Sequence, residues 1–358
     1  MRSRPSLPLL VITLLSCTAA AQAAALPPQG PAGWEKQHGW VEGGNSAKGV
    51  TAVLMFHGLD SAANHFRAPT QAGNLKGLAY DVKSKPQMRK TVEAEISPVA
   101  PSVNWFDGLG STFKVATWNQ VPCVDTSEVK TAACQNKDSF ENAYQSAPWA
   151  LRKLLDETTG PVALLGHSRG GLVIRRLLKE FGDAGGRIKY VVTLHTPHHG
   201  SAVSGTAAAF DAALTKAIKV LPKHLEKPVQ AFHVSIADLL GARGGLELGY
   251  KSKTTIFPAL EKGEKKLPGI AYKSYGGTST IGARLFFKAG HEVKAIDLLS
   301  LPTPGEAKTG TGDLMVTDAS AHLPWPGIPH VTQPLHHGEV LWNQPTIESV
   351  RAFLKAGY

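Results

Sequence analysis

The stretch Val162-Ala163-Leu164-Leu165-Gly166-His167-Ser168-Arg169-Gly170-Gly171 decides how the rest of the chain reads. Four apolar residues, preceded by Gly160, predict a short buried strand. Leu172 to Phe181 then mixes apolar and basic residues at helical spacing and stops near Gly182, so a helix follows. Between strand and helix stands Ser168, in the pattern Gly166-x-Ser168-x-Gly170. This is the position of a nucleophile elbow, where a strained turn pushes a serine hydroxyl out at the end of a strand. Such a turn needs small neighbours, and Gly166, Gly170 and Gly171 supply them. The helix begins at the serine, so its first amides and its dipole favour negative charge there.

The flanking sequence repeats the strand-helix alternation. Val50 to Phe56 is an apolar, β-rich run between Gly49 and Gly58, and it leads into His57-Gly58-Leu59. Thr112 to Trp118 alternates like a strand, Asp138 to Thr158 has helical spacing, and Ile188 to Leu194 is another apolar strand. Ile270 to Tyr275 and His330 to Thr332 predict further strands, and Thr346 to Leu354 a closing helix. A helix is also expected from Gln87 to Ile96, and an amphipathic helical region from Ala202 to about Leu240; Leu246 to Pro268 reads as irregular. Strands alternating with helices predict parallel βαβ units, whose strands are covered on both faces and therefore read as continuous apolar runs.

A serine hydroxyl needs a general base, and the base needs an orienting carboxylate. In a strand-elbow-helix architecture the order along the chain is Ser, Asp or Glu, then His. The base belongs after the last strand and before the final helix, where His336 and His337 stand. For the carboxylate, the loop after the preceding strand offers Asp313 and Asp318, with Asp297 a distant third. The oxyanion of an acyl-transfer intermediate needs two amide donors. One is the N–H of Arg169, which follows the serine, and the loop His57-Gly58-Leu59 is placed to give the other.

The N-terminus reads as a signal peptide over residues 1–25. Arg2 and Arg4 are followed by an apolar run from Leu7 to Leu15 and an alanine-rich stretch from Ala19 to Ala25. The run is shorter than the roughly 20 apolar residues a membrane span needs. Leu14-Leu15-Ser16-Cys17 also resembles a lipobox, which would leave the mature chain lipid-anchored at Cys17. Export implies oxidising conditions, so Cys123 and Cys134 are expected to form a disulfide. Residues 26–358 are expected to be one catalytic domain. The formal net charge of +10 becomes +8 once Arg2 and Arg4 leave (10 minus 2). Its basic residues are dispersed, without a basic stripe carrying interleaved aromatics, which argues against nucleic acid as a partner. Peripheral contact with a lipid or envelope surface remains an expectation.

Taken together these residues resemble the bacterial lipase/esterase branch of the α/β-hydrolases. The matching segments are Phe56-His57-Gly58-Leu59, Gly166 to Gly171, Thr196-Pro197-His198-His199-Gly200-Ser201, Gly312-Asp313 with Val316, and His337-Gly338-Glu339-Val340-Leu341. The resemblance implies an α/β-hydrolase fold with helices on both faces of a mostly parallel sheet, and over about 202–268 either a helical cap or helices that simply cover the sheet. It implies Asp313 as the acid and His337 as the base, and the Leu59 and Arg169 amides as the oxyanion hole. Leu314 stands where the family often has glycine, which leaves Asp318 in play. Some relatives hold calcium through an aspartate just after the catalytic histidine. Gly338 and Glu339 stand there, so no metal and no cofactor is expected. The implied activity is hydrolysis of a carboxylic ester or lipid through an acyl-enzyme. A polyester depolymerase, an amidase, an acyltransferase and a non-catalytic binding protein on the same scaffold are the alternatives.

Overall fold

Among its described residues, a computed structural model of the protein contains nine strands. The structure describes residues 26–59, 61–67, 104–122, 139–201, 242–249, 255–278, 284–289, 292–297, 312–313, 315–335, 337–341 and 343–356. The expected signal peptide and Cys17, the helix at 87–96, Cys123 and Cys134, His336 and most of the expected cap lie outside these residues.

The strands are β1 (Val41–Gly44), β2 (Ala52–Phe56), β3 (Lys114–Thr117), β4 (Val162–His167), β5 (Ile188–Leu194), β6 (Ala271–Gly277), β7 (Arg284–Ala289), β8 (Glu292–Asp297) and β9 (His330–Gln333). Seven form one sheet in the order β1-β3-β2-β4-β5-β6-β9. Every neighbouring pair is parallel except β1 with β3. β7 and β8 make a separate antiparallel pair, in which Asp297 stands opposite Arg284.

The apolar runs are continuous because successive residues fill two different cores. Ala52, Leu54, Phe56, Val162 and Leu164 face one core, into which the helices α1 (Ala147–Glu157) and α2 (Arg169–Phe181) pack Leu151, Leu154, Leu172 and Leu177. Val53, Met55, Ala163 and Leu165 face the other. That side is closed by Trp105 and Leu109 and by Ile347, Val350 and Leu354 of α3 (Gln344–Ala356). Each fully buried side chain of this size contributes about 1.5–3 kcal/mol relative to exposure.

Two elements differ from expectation. The helix read over Asp138 to Thr158 is two helices, Phe140–Tyr144 and α1. Pro148 lacks the N–H that would return to Tyr144, and its ring would crowd that carbonyl, so the helix restarts at Ala147. Ser146 fills the break: its hydroxyl accepts from Trp118 Nε1 and donates to the Gln120 carbonyl, each at 2.8 Å. The stretch read as irregular from Leu246 contains part of one short helix, Arg243–Glu247, and all of another, Phe257–Glu261.

Register sets the position of the site. Phe56 stands beside Gly166, Gly166 beside Thr193, and Leu194 beside Tyr275. The loops after β2, β4, β5 and β6 therefore leave the sheet at one edge, the carboxyl end of the parallel strands, where ligands bind in open α/β sheets.

Candidate active site

Ser168 sits between β4 and α2 with φ 53° and ψ −128°, a left-handed backbone held by its surroundings. Such a conformation costs about 1–3 kcal/mol for a residue with a Cβ. Its N–H donates to the Leu194 carbonyl at 2.9 Å, and its own carbonyl accepts from Gly171 N–H at 3.1 Å. The flanking glycines are there for close approach. A Cβ on Gly166 would lie 2.6 Å from Gly171 N, and one on Gly170 would lie 2.9 Å from the His57 carbonyl oxygen.

His337 reaches the serine from the loop after β9. Its Nε2 is 2.8 Å from Ser168 Oγ, and its Nδ1 is 2.8 Å from Asp313 Oδ2. With Nδ1–H donated to the carboxylate, Nε2 is left to accept the serine proton. The loop is pinned twice through its backbone. His337 N–H donates to the Asp313 carbonyl at 3.0 Å, and His167 Nε2–H donates to the His337 carbonyl at 2.8 Å.

Asp313 is fully buried. Its Oδ1 accepts the backbone N–H groups of Met315 at 3.0 Å and Val316 at 2.8 Å. Burial alone would raise its pKa. The charge of His337 and the contacts with His195 and His337 outweigh this and hold the carboxyl well below its usual range. A second histidine thus meets the same oxygen: His195 Nδ1 is 2.7 Å from Asp313 Oδ2. Neither ring nitrogen of His195 makes a directed hydrogen bond, so the approach lies off the N–H direction and is a close polar contact. His195 is fully buried and has φ 48°. Sequence reasoning passed over it, although its place at the carboxyl end of β5, one residue before Thr196-Pro197, marks the edge where site residues gather.

The loop after β2 lies directly against the serine. A Cβ on Gly58 would be 2.7 Å from Ser168 Cβ and 3.3 Å from its Oγ, so only glycine allows this approach. His57 locks the loop. Its Nδ1–H donates to the Gly58 carbonyl at 3.0 Å, and its Nε2 accepts the Gln120 N–H at 3.0 Å. The Gln120 side-chain amide donates to the His57 carbonyl at 2.7 Å. Burial pushes the His57 pKa down to about 3, so the ring is neutral, as this bonding requires. Leu59 follows on this loop, half-buried against the core, and Arg169 is the first residue of α2 with its side chain fully buried.

The other carboxylates go elsewhere. Asp318 Oδ1 is 3.0 Å from His330 Nε2, and its Oδ2 accepts from Thr332 Oγ1 at 2.9 Å. Asp297 is at the end of β8, in the separate two-stranded sheet.

No family model and no curated protein matches the chain. Among solved structures, it is similar to a lipase of Bacillus licheniformis in its mature form, with a TM-score of 0.51 and 14% identity over 88% of this chain and 97% of that one. The propeptide form of the same lipase gives a TM-score of 0.48 at 15% identity, over 88% of this chain and 53% of that one. A hydrolase from Oleispira antarctica gives 0.46 at 10% identity, over 90% and 96%. At such identities the likeness to the mature lipase speaks for architecture alone. Joined to the mostly parallel seven-stranded sheet and the strand-to-helix turn at Ser168, it shows that the chain has the α/β-hydrolase fold.

Proposed function

We propose that the protein is an exported serine hydrolase of carboxylic esters, lipase-like in its chemistry. The observation that carries the reading is the unbroken relay from Ser168 Oγ through the His337 ring to Asp313 Oδ2, two contacts of 2.8 Å each, on a strained turn. Ser168 Oγ attacks the ester carbonyl carbon while His337 Nε2 takes the hydroxyl proton. The oxyanion that forms is stabilised by the backbone N–H groups of Leu59 and Arg169, the latter favoured by its place at the start of α2. The intermediate collapses, His337 returns the proton to the leaving alkoxide, and an acyl-Ser168 ester and free alcohol result. Water then attacks the acyl-enzyme, giving its proton to His337. Collapse expels Ser168 Oγ, which takes that proton back, and the carboxylic acid leaves. Asp313, held ionised by its neighbours, keeps the imidazole in the right tautomer throughout.

Residues 26–358 are read as the catalytic domain and residues 1–25 as a signal peptide. The three-part N-terminal pattern supports export, and Cys123 and Cys134 are read as one disulfide in the exported chain. A fluorophosphonate probe tests the central claim. Stoichiometric labelling at Ser168, absent in Ser168→Ala, together with turnover of a chain-length series of p-nitrophenyl esters, is the expected result. An unlabelled wild-type protein would sink the reading. Intact mass of the exported, unreduced protein tests the signal cleavage and the disulfide.

A further inference from the structure

We infer that Asp318, His322 and His330 form a binding site for a divalent transition-metal ion, with zinc as the cation their two imidazoles and one carboxylate suit best. The site is independent of the hydrolase reading and uses none of its residues.

The three donor atoms lie within 4.8 Å of one another. A tetrahedral ion with bonds of about 2.0–2.1 Å keeps its donors roughly 3.3 Å apart. His330 Nε2 and Asp318 Oδ1, at 3.0 Å, already stand close to that separation. His322 is exposed and stacks on His330, with ring centroids 3.6 Å apart and planes 19° from parallel. Stacked rings aim their lone pairs side by side, so coordination requires the His322 ring to turn. An exposed side chain does this without moving the backbone. Three protein donors then leave a fourth position to water.

The supporting contacts fit a ligand set. Ser274, fully buried on β6, has its Oγ 2.8 Å from His330 Nδ1. With the ring proton on Nδ1 and donated to this hydroxyl, Nε2 presents its lone pair to the ion, the usual arrangement around a metal-bound histidine. Thr332 Oγ1–H holds Asp318 Oδ2 at 2.9 Å, which leaves Oδ1 turned to His330. Thr317 caps the short helix Asp318–Ala321 by accepting Ser320 N–H at 3.1 Å, and so fixes the turn that presents Asp318. Binding exchanges the direct His330–Asp318 hydrogen bond for two bonds to the ion. The other histidine-aspartate group, His195, Asp313 and His337, differs because His337 already joins Asp313 to Ser168.

The place gives the ion a task. Asp318 follows Asp313 on one loop, and His330 opens the strand that leads to His337. An ion there clamps the segments carrying the acid and the base, as a structural support and not as a reactant.

The test is zinc binding to the untagged protein after chelator treatment, measured at pH 7.5 by equilibrium dialysis with metal quantification. One zinc per chain is expected, with zinc–nitrogen distances of about 2.0–2.1 Å by X-ray absorption. Affinity should fall at least about 10-fold in His322→Ala, whose exposed side chain can be removed without disturbing the fold, and by about 10-fold in Thr332→Ala. Asp313→Asn should bind as wild type. Lack of stoichiometric zinc, or binding unchanged in both His322→Ala and Asp318→Asn, overturns the proposal. The readout is metal alone, so a failure here and a failure of fluorophosphonate labelling are separate results.

Discussion

Two aspartate-histidine clusters are built on the same loops of this protein, and their difference lies in depth and in company. Asp313 is fully buried, takes two backbone amides on one oxygen and meets two histidines on the other. Asp318, five residues further along, is partly exposed, takes one threonine hydroxyl and meets one histidine. Both continue through the imidazole to a serine hydroxyl, but Ser168 stands on the strained turn after β4 while Ser274 is fully buried within β6. The same residue pair therefore acquires a different chemical capacity according to what lies beyond the imidazole and how far water is kept away. In the buried cluster the carboxylate is locked in its ionised form by its neighbours. At the rim the donors remain open to an arriving ion.

Exchanging each aspartate for asparagine gives the largest expected contrast. Asp313→Asn should lower kcat for a p-nitrophenyl ester by about 10⁴-fold, because an amide at this place favours the wrong tautomer of His337. Asp318→Asn should leave kcat within a few-fold of wild type, since its oxygens are engaged by His330 and Thr332. Comparable losses in the two variants would erase the distinction between the clusters. Circular dichroism of both proteins keeps misfolding apart from lost chemistry.

His195 offers the next contrast, because the rim cluster has no counterpart to a second buried imidazole on one carboxylate oxygen. Its contact with Asp313 is short but off the N–H direction. Its removal should therefore fall near the lower end of the range for a hydrogen bond to a charged group, about 1.5 kcal/mol, or about 10-fold in kcat. We expect that loss for His195→Leu, with KM little changed, and recovery of most of it in His195→Gln, which keeps a donor. A leucine variant with wild-type kcat would mean that the amides of Met315 and Val316 hold Asp313 unaided.

The contrast between the clusters was hidden in the sequence for a physical reason. Strands β2 and β4 are legible because burial on both faces makes their sequences almost continuously apolar, and β5 departs from this only at Lys189 and Thr193. β1 is not, because an edge strand reading Val-Glu-Gly-Gly alternates half-buried and exposed residues and carries no apolar run. Ser168 is legible because a strained turn imposes local requirements on its neighbours, and the glycines record them. The choice between Asp313 and Asp318 has no such local record. Both stand in short polar stretches, and which of them meets His337 depends on how the segment at Asp313 packs against the segment after β9. Residue types left both open, with Asp313 ahead for the Gly/Thr loop Gly310-Thr311-Gly312 that precedes it, and the Val316 pattern added to this only through resemblance. For His195 the sequence offers only its place at the carboxyl end of β5, since a lone histidine at a strand end looks the same whether or not a carboxylate waits beside it.

The last expected effect concerns pH, and it sharpens the difference in depth. His167 lies against the buried cluster, and burial, followed by the charge of His337, pushes its pKa well below 6.5. His57, on the loop after β2, is pushed by burial to about 3. Both rings stay neutral when folded at mildly acidic pH, while the unfolded chain takes up a proton at each near 6.5. Below that value the unfolded state binds more protons, so stability falls as pH falls. Above it, their contribution is fully present. Each such histidine contributes a slope of up to about 1.4 kcal/mol per pH unit, continuing for His57 down towards pH 3. Urea unfolding followed from pH 7 to pH 4.5 should therefore give a falling midpoint. His167→Gln, which retains a donor for the His337 carbonyl, should make that fall shallower by up to one histidine's share, whatever it does to the midpoint at pH 7. If the slope is unchanged in this variant, His167 titrates alike in both states, and the interior around the first cluster is wetter than its burial implies.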